Sequence, residues 1–460
     1  MKNILFAIIT GATSLISYAS ANNNADLNTP FNQNRRIETK GDSLREKYSD
    51  NPTIQRIVNE TKVVIATGRD SNHPVPEDSI RSLIAQFYDN QFRHSQDPSL
   101  PYFMFMSKDA KMALGIGGAL KLRTWFDWDG AVGNGGFSPY NIEVPKNPAT
   151  PRELGANMSG TTIFLTLLGQ HSSLGNYMGY IQGDFAGYNK RGFRLKKAYL
   201  TLNDWTVGLA TSTFTDPAAE PIVVDGAGVN GKMDRTNVLI RYTKSLRRWT
   251  IGASIEFPSS KIRTNQWTAS SSDWLPDFVV MGQYAWNSGL SHVRLAVLSR
   301  ALSYRDLVRQ QNHTLEGWGV QLSGLVATPS PITLFFISSI GQGHQSYSGD
   351  LSAGSYDLVP DPSQEGKLYA PTAFSIIGGI KYRFSSKVYA DMAFSEMRYK
   401  PQHTPDPTDY KYGVMGVVNV FWNLTPRLII GGEYLIGKRM NFNKEHSTSN
   451  RIDALFQLNF

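Results

Sequence analysis

Residues 215–235 read T-D-P-A-A-E-P-I-V-V-D-G-A-G-V-N-G-K-M-D-R. Four acids, Asp216, Glu220, Asp225 and Asp234, share the stretch with two bases, Lys232 and Arg235. Pro217, Pro221 and the glycines impose fixed bends and let backbone approach a wall closely. Acidic and basic groups held across a narrow aqueous passage set a transverse field that orients solutes and selects them by charge. The chemistry expected of these residues is electrostatic filtering rather than bond making. The plain alternative is an external loop built of ordinary turn residues.

Catalytic and metal constellations do not emerge. His171 and His292 have no partner close in sequence, and neither a G-x-S-x-G elbow nor an H-E-x-x-H helix occurs. Cysteine is absent and the eight histidines are dispersed, so no ligand spacing suggests a metal. No catalytic residue, metal or cofactor is therefore expected.

A second set of charges lies on segments that alternate polar and apolar residues. Alternation puts Arg241, Arg248, Arg294, Arg300, Lys381 and Arg383 on the polar side. Lys121 and Arg123 share a face, as do Arg194 and Lys196, although Lys197 interrupts the apolar row beside them. The formal net charge is +8, and the excess is local: residues 22–107 hold 10 Lys and Arg against 11 Asp and Glu, whereas residues 108–460 hold 35 against 27. Cations confined in a channel raise the local concentration of anions. Nucleic-acid binding is a poor match, because the bases are spread over many segments and carry no known motif.

The elements that must position these groups are strands. The clearest covers 247–257, where Trp249, Ile251, Ala253, Ile255 and Phe257 alternate with Arg248, Thr250, Gly252, Ser254 and Glu256. Eleven extended residues reach about 37 Å, enough at a tilt of roughly 45° to cross a hydrocarbon slab of about 25 Å. Sixteen such segments can be placed between 112–128 and 450–460. The links between them alternate short and long, with the 215–234 stretch third among the long ones and the link at 189–191 the exception. Short periplasmic turns and long external loops are the pattern of a bacterial transmembrane β-barrel. The expected fold is an all-β barrel of about 16 antiparallel strands with its third loop folded into the lumen. No apolar run of about 18 residues follows the amino-terminus, so membrane helices are not expected. The mean hydropathy of −0.30 is compatible, since only alternate residues of a barrel strand meet lipid.

The chain stops inside its last strand. Ile452, Ala454, Phe456, Leu458 and Phe460 share one face, Arg451, Asp453, Gln457 and Asn459 the other, and Leu455 breaks the alternation. The stretch resembles the terminal strand of bacterial outer-membrane β-barrels, whose final Phe the barrel-assembly machinery reads, so Phe460 is expected to seal the barrel against the first strand and to serve as that signal. At the other end, Lys2, the apolar run 4–16 and Ala19-Ser20-Ala21 read as a cleaved signal peptide over 1–21. Residues 22–107 are expected to form a periplasmic segment with a short amphipathic helix over 80–92, and 108–460 the barrel.

Several stretches resemble the DcaP-like porins: F-Y-D-N-Q-F-R-H-S-Q-D-P and P-Y-F-M-F-M-S-K-D within 87–109, G-I-G-G-A-L-K-L-R-T-W-F-D-W at 115–128, R-L-K-K-A-Y-L-T-L from Arg194, and T-S-T-F-T-D-P from Thr211. The resemblance implies a homotrimer of 16-stranded barrels in the outer-membrane lipid. It also implies a constriction loop beginning at 214–217, a basic face carrying Arg123 and Arg194, and passage of small, often anionic solutes such as aromatic carboxylates. The chain departs from members with a long heptad-repeat amino-terminus, since 22–76 sustains no heptad. An outer-membrane barrel enzyme or adhesin is the alternative class.

Overall fold

The computed structural model describes residues 64–67, 103–107, 112–133, 136–171, 173 and 175–460. The signal peptide expected over 1–21 and the helix expected over 80–92 lie outside the described residues. Among the described residues sixteen strands form one closed sheet. They are β1 Met112–Trp128, β2 Thr162–His171, β3 Gly175–Asp184, β4 Arg194–Leu202, β5 Trp205–Thr211, β6 Thr236–Leu246, β7 Trp249–Glu256 and β8 Asp277–Trp286. The second half comprises β9 Ser291–Asp306, β10 Gln311–Ala327, β11 Ile332–Gln342, β12 Thr372–Arg383, β13 Val388–Lys400, β14 Tyr410–Asn423, β15 Leu428–Asn441 and β16 His446–Asn459. Each strand pairs antiparallel with the next, and β16 returns to β1, from Asn450 opposite Trp128 to Asn459 opposite Ala119. Closure removes the exposed sheet edges that would otherwise recruit other strands.

Alternation decides what each face meets. On β6, Val238, Ile240 and Tyr242 are exposed while Asn237, Leu239, Arg241 and Thr243 are buried. The same holds on β1, where Leu120, Leu122 and Phe126 point out and Arg123, Trp125 and Asp127 point in. An apolar band running round every strand far exceeds the patch a water-soluble surface carries, so the outer face is a lipid face. Aromatic pairs rim it near the short turns: Trp205 with Tyr242 and Trp249 with Tyr284, each at 5.0 Å between centroids, and Tyr382 with Phe384 at 4.7 Å. Such rings suit the interfacial zone, apolar on one side and hydrated on the other.

At one end of the barrel the links span two to four residues. At the other lie long loops, of which 129–161, 212–235, 257–276 and 343–371 are the most extended. The loop between β9 and β10 spans only 307–310, because the two strands continue as a polar hairpin beyond the apolar band.

The seam is where the two chain ends meet. Phe460 N–H donates to the Gly118 carbonyl at 3.0 Å and its carbonyl accepts from Gly118 N–H at 2.8 Å. A Cβ on Gly118 would stand 2.8 Å from the Phe460 ring and 2.3 Å from the Thr162 carbonyl, so only glycine fits. Beyond Phe460 the same edge of β1 is taken by Phe103–Met106, with Phe103 opposite Ile116 and Met106 opposite Ala113. Val64–Thr67 pairs parallel to that strand. The sheet therefore also includes residues from the 22–107 segment.

Candidate pore constriction

The third loop, 212–235, is fixed to the inner wall along its whole length. At its start Ser212 Oγ and Thr213 N–H donate to Glu256 of β7 at 3.0 and 2.9 Å. Asp216 Oδ2 then accepts from Ser323 Oγ of β10 at 2.6 Å and lies 2.9 Å from His292 Nε2 of β9. Burial alone would raise the Asp216 carboxyl, but His292, Arg294 and Ser323 together hold it well below the usual carboxylate range. Midway, Ile222 N–H donates to Asp391 of β13 at 2.6 Å, and Val224 and Asp225 N–H donate to Glu433 of β15 at 2.9 and 2.8 Å. Asp225 Oδ2 accepts from Arg123 of β1 at 2.6 Å and from Arg451 of β16 at 3.1 Å. Asn230 Nδ2 reaches the Gly413 carbonyl of β14 at 2.9 Å. Finally Met233 bridges Ser348 of the sixth loop, 343–371, and Gly349 N–H donates to the Lys232 carbonyl at 2.8 Å.

Apolar packing backs these bonds. Ala219, Val229, Phe137 and Val132 from the loops bury themselves against Phe335, Ile337, Ile377, Met415, Val417 and Leu435 of the wall. Val224 packs on Phe421 and Leu455, which explains the inward leucine that breaks the terminal alternation. The apolar residues on the inner face of β11 to β16 are thus explained by the loop that covers them.

The charges expected across the passage divide into two groups. Asp216 and Asp225 are each 3% exposed and bind wall residues, so they are anchors of the loop rather than charges offered to a solute. Glu220 is half-buried, Lys232 is buried, and Asp234 presents a side chain 60% exposed to the lumen while pairing with Lys232 at 2.7 Å. Lys232 draws Asp234 below the ordinary carboxylate range, burial opposes it, and Lys196 and Lys197 of β4 add to the pull. Arg235 donates to Asn237 at 2.8 Å and to the Ser346 and Ser259 carbonyls, which fixes it to the loops.

Of the basic residues assigned to the wall, Arg123, Arg241, Arg294 and Arg300 are almost fully buried. Arg241 and Arg294 donate to the Thr211 and Thr213 carbonyls at 3.1 and 2.5 Å. Arg300 is held by Asp277 and Asp357 at 3.1 and 3.2 Å. Arg248 is not on the wall at all: it sits in the 247–248 turn, exposed, with its guanidinium 3.3 Å from Tyr284 Oη. Arg383 is exposed at the turn end of β12, and Lys381 lies 3.9 Å from Asp391. Lys121, Arg194 and Lys196 retain exposure within the barrel.

Lys197 was missed. Gln182 pairs with Lys197 and Gly183 with Leu195, so Lys196 is the extra residue of a β-bulge. The bulge resets the alternation and brings Lys197 to the inner face with Tyr199 and Thr201, while Arg194 pairs with Asp184 at 2.7 Å. His292, which has no partner close in sequence, meets Asp216 from 76 positions away. That cluster does not form a hydrolytic triad, since the carboxylate, and not the imidazole, takes the serine hydroxyl.

Sixteen closed strands with an apolar exterior and a loop pinned inside define the fold of the outer-membrane channel barrels. The chain is similar to the outer membrane channel DcaP of Acinetobacter baumannii, with a TM-score of 0.67, 20% identity, and 77% of this chain aligned to 99% of that one. It is also similar to an anion-selective porin from Comamonas acidovorans, with a TM-score of 0.52, 10% identity, and 76% of this chain aligned to all of that one. No family model and no curated protein matches the sequence.

Proposed function

We propose that the protein is an outer-membrane porin, a water-filled channel for passive diffusion of small solutes with a preference for anions. The observation that carries this reading is the sorting of charge at the third loop. Its buried acids Asp216 and Asp225 are consumed by His292, Arg123 and Arg451, whereas Arg194 and Lys196 stay exposed on the wall and Lys121 half-buried. With the Asp234–Lys232 and Asp184–Arg194 pairs counted as neutral, the groups beside the loop keep a cationic excess, which favours anions. Export through a cleaved signal peptide, insertion by the barrel-assembly machinery and a homotrimeric state complete the proposal. The similarity to an anion-selective porin and to DcaP supports it at the level of fold.

The test is conductance. Purified protein added to a planar bilayer should give stepwise currents in groups of three, with a reversal potential in a salt gradient that favours chloride. A folded barrel that inserts and carries no current would overturn the porin reading, and current that favours potassium would overturn the anion preference alone.

A further inference from the structure

The third loop does not dock at an arbitrary place on the wall. Asp225 accepts from Arg123 on the first strand and from Arg451 on the last, residues 328 positions apart that become neighbours only when the barrel closes. Arg451 and Asp127 face each other across the seam, and the guanidinium grips that carboxylate with Nε at 2.5 Å and Nη2 at 2.8 Å. Its remaining nitrogen, Nη1, goes to Asp225. Asp225 Oδ1 meanwhile accepts from Phe137 N–H at 3.0 Å, and Arg451 also donates to the Val132 carbonyl at 3.0 Å, which ties the first loop to the same point. Leu455 of the last strand supplies the apolar half of the contact by packing on Val224.

We infer that the third loop is a latch for the barrel seam: its Asp225 joins Arg123 and Arg451 into one buried cluster across the β1–β16 junction, so that loop docking and seam closure stabilise each other. The physical ground is geometric. Two guanidinium groups brought side by side without an acid between them repel, and a buried carboxylate held by only one of them is poorly compensated. The site for Asp225 is therefore complete only when the sheet is closed. Once the loop is seated, pulling the seam apart separates Arg451 from Asp127 and one of the two guanidinium groups from Asp225. Nothing in this depends on whether the channel conducts.

Hydrogen exchange on the full-length folded protein in lipid vesicles tests it. Asp225→Asn should accelerate amide exchange at least ten-fold in peptides covering 119–128 and 450–459. Asp216→Asn, which loosens the same loop at its other anchor, should leave those peptides near the wild-type rate. Seam exchange that is unchanged in Asp225→Asn, or raised equally by Asp216→Asn, overturns the latch. Should Asp225→Asn not fold, Arg123→Gln decides, because it leaves Arg451 bound to both Asp127 and Asp225. Faster seam exchange in that variant supports the inference and unchanged exchange overturns it.

Discussion

Lys196 offers the sharpest test of charge selection. Its neighbour Asp184 is already held by Arg194 through two bonds of 3.0 and 2.7 Å, while Lys196 stands 3.8 Å away with a side chain 42% exposed. The trio thus carries one surplus positive charge, and Lys196→Glu converts it to a surplus negative charge. A unit charge acting on a univalent ion at roughly 8 Å in water is worth about 0.5 kcal/mol, so a two-unit reversal changes that ion's energy by about 1 kcal/mol. Screening at about 0.1 M salt, where the Debye length is ~10 Å, trims this to about 0.5 kcal/mol. The change is unfavourable for chloride and favourable for potassium, so the permeability ratio shifts by about 1 kcal/mol, a factor of about five. Lys196→Gln should give roughly half that energy, a factor of about two. The assay is the reversal potential of single channels across a potassium chloride gradient kept at about 0.1 M, where the Debye length is ~10 Å. Arg248→Glu, in the exposed turn, is the control and should move it much less. A reversal potential unmoved by Lys196→Glu, or moved as far by Arg248→Glu, would refute the placement of Lys196 beside the ion path.

Two further outcomes follow from the loops and the seam. Burial holds His344 of the sixth loop down at about 4, against an ordinary 6.5, and its ring stands edge-on to Phe214 at 6.5 Å. For a base with a lowered value, the stability contribution is complete above 6.5 and is lost as the pH falls towards 4, so urea unfolding at pH 5 should show a loss of about 2 kcal/mol relative to pH 7. His344→Phe should flatten that dependence, and an identical slope in the variant would show that His344 is not its source. Deletion of Phe460 removes both backbone bonds to Gly118, so folded barrel in the outer membrane should drop several-fold while the unit conductance of what remains is unchanged. Normal levels of the deletion protein would count against Phe460 as an assembly signal.

The barrel was legible in the sequence because every strand separates two media, and a period of two records that separation directly. What period two cannot record is a residue inserted out of phase. Lys197 looked like a charge on the lipid face, and only the pairing of Gly183 with Leu195 shows that the bulge turns it inward. Nor does alternation say what an inward residue touches. Leu455 was visible as an exception, but Val224, its reason, lies 231 positions earlier on a loop. The same limit applied to Asp216 and Asp225: their spacing suggested charges facing a passage, and their partners, contributed by β1, β9, β10 and β16, lay far away in sequence.

The division of the basic residues follows from their chemistry. Of the ten bases assigned to the wall from the sequence, the four almost completely buried, Arg123, Arg241, Arg294 and Arg300, are arginines, and each donates to a backbone carbonyl or to a buried carboxylate, although Lys197 and Lys232 are buried as well. A planar guanidinium with five donors can satisfy several acceptors at once and is more weakly hydrated, so it tolerates that role, whereas an ammonium is a compact and strongly hydrated point charge. Lys121, Lys196 and Lys381 all keep some exposure. It follows that the surplus of bases is not a measure of anion preference. Reversing Arg294 would strand the Thr213 carbonyl and place a carboxylate beside Asp216, so any change in current there would report a displaced loop, and only the exposed lysines and Arg194 report the field that a solute meets.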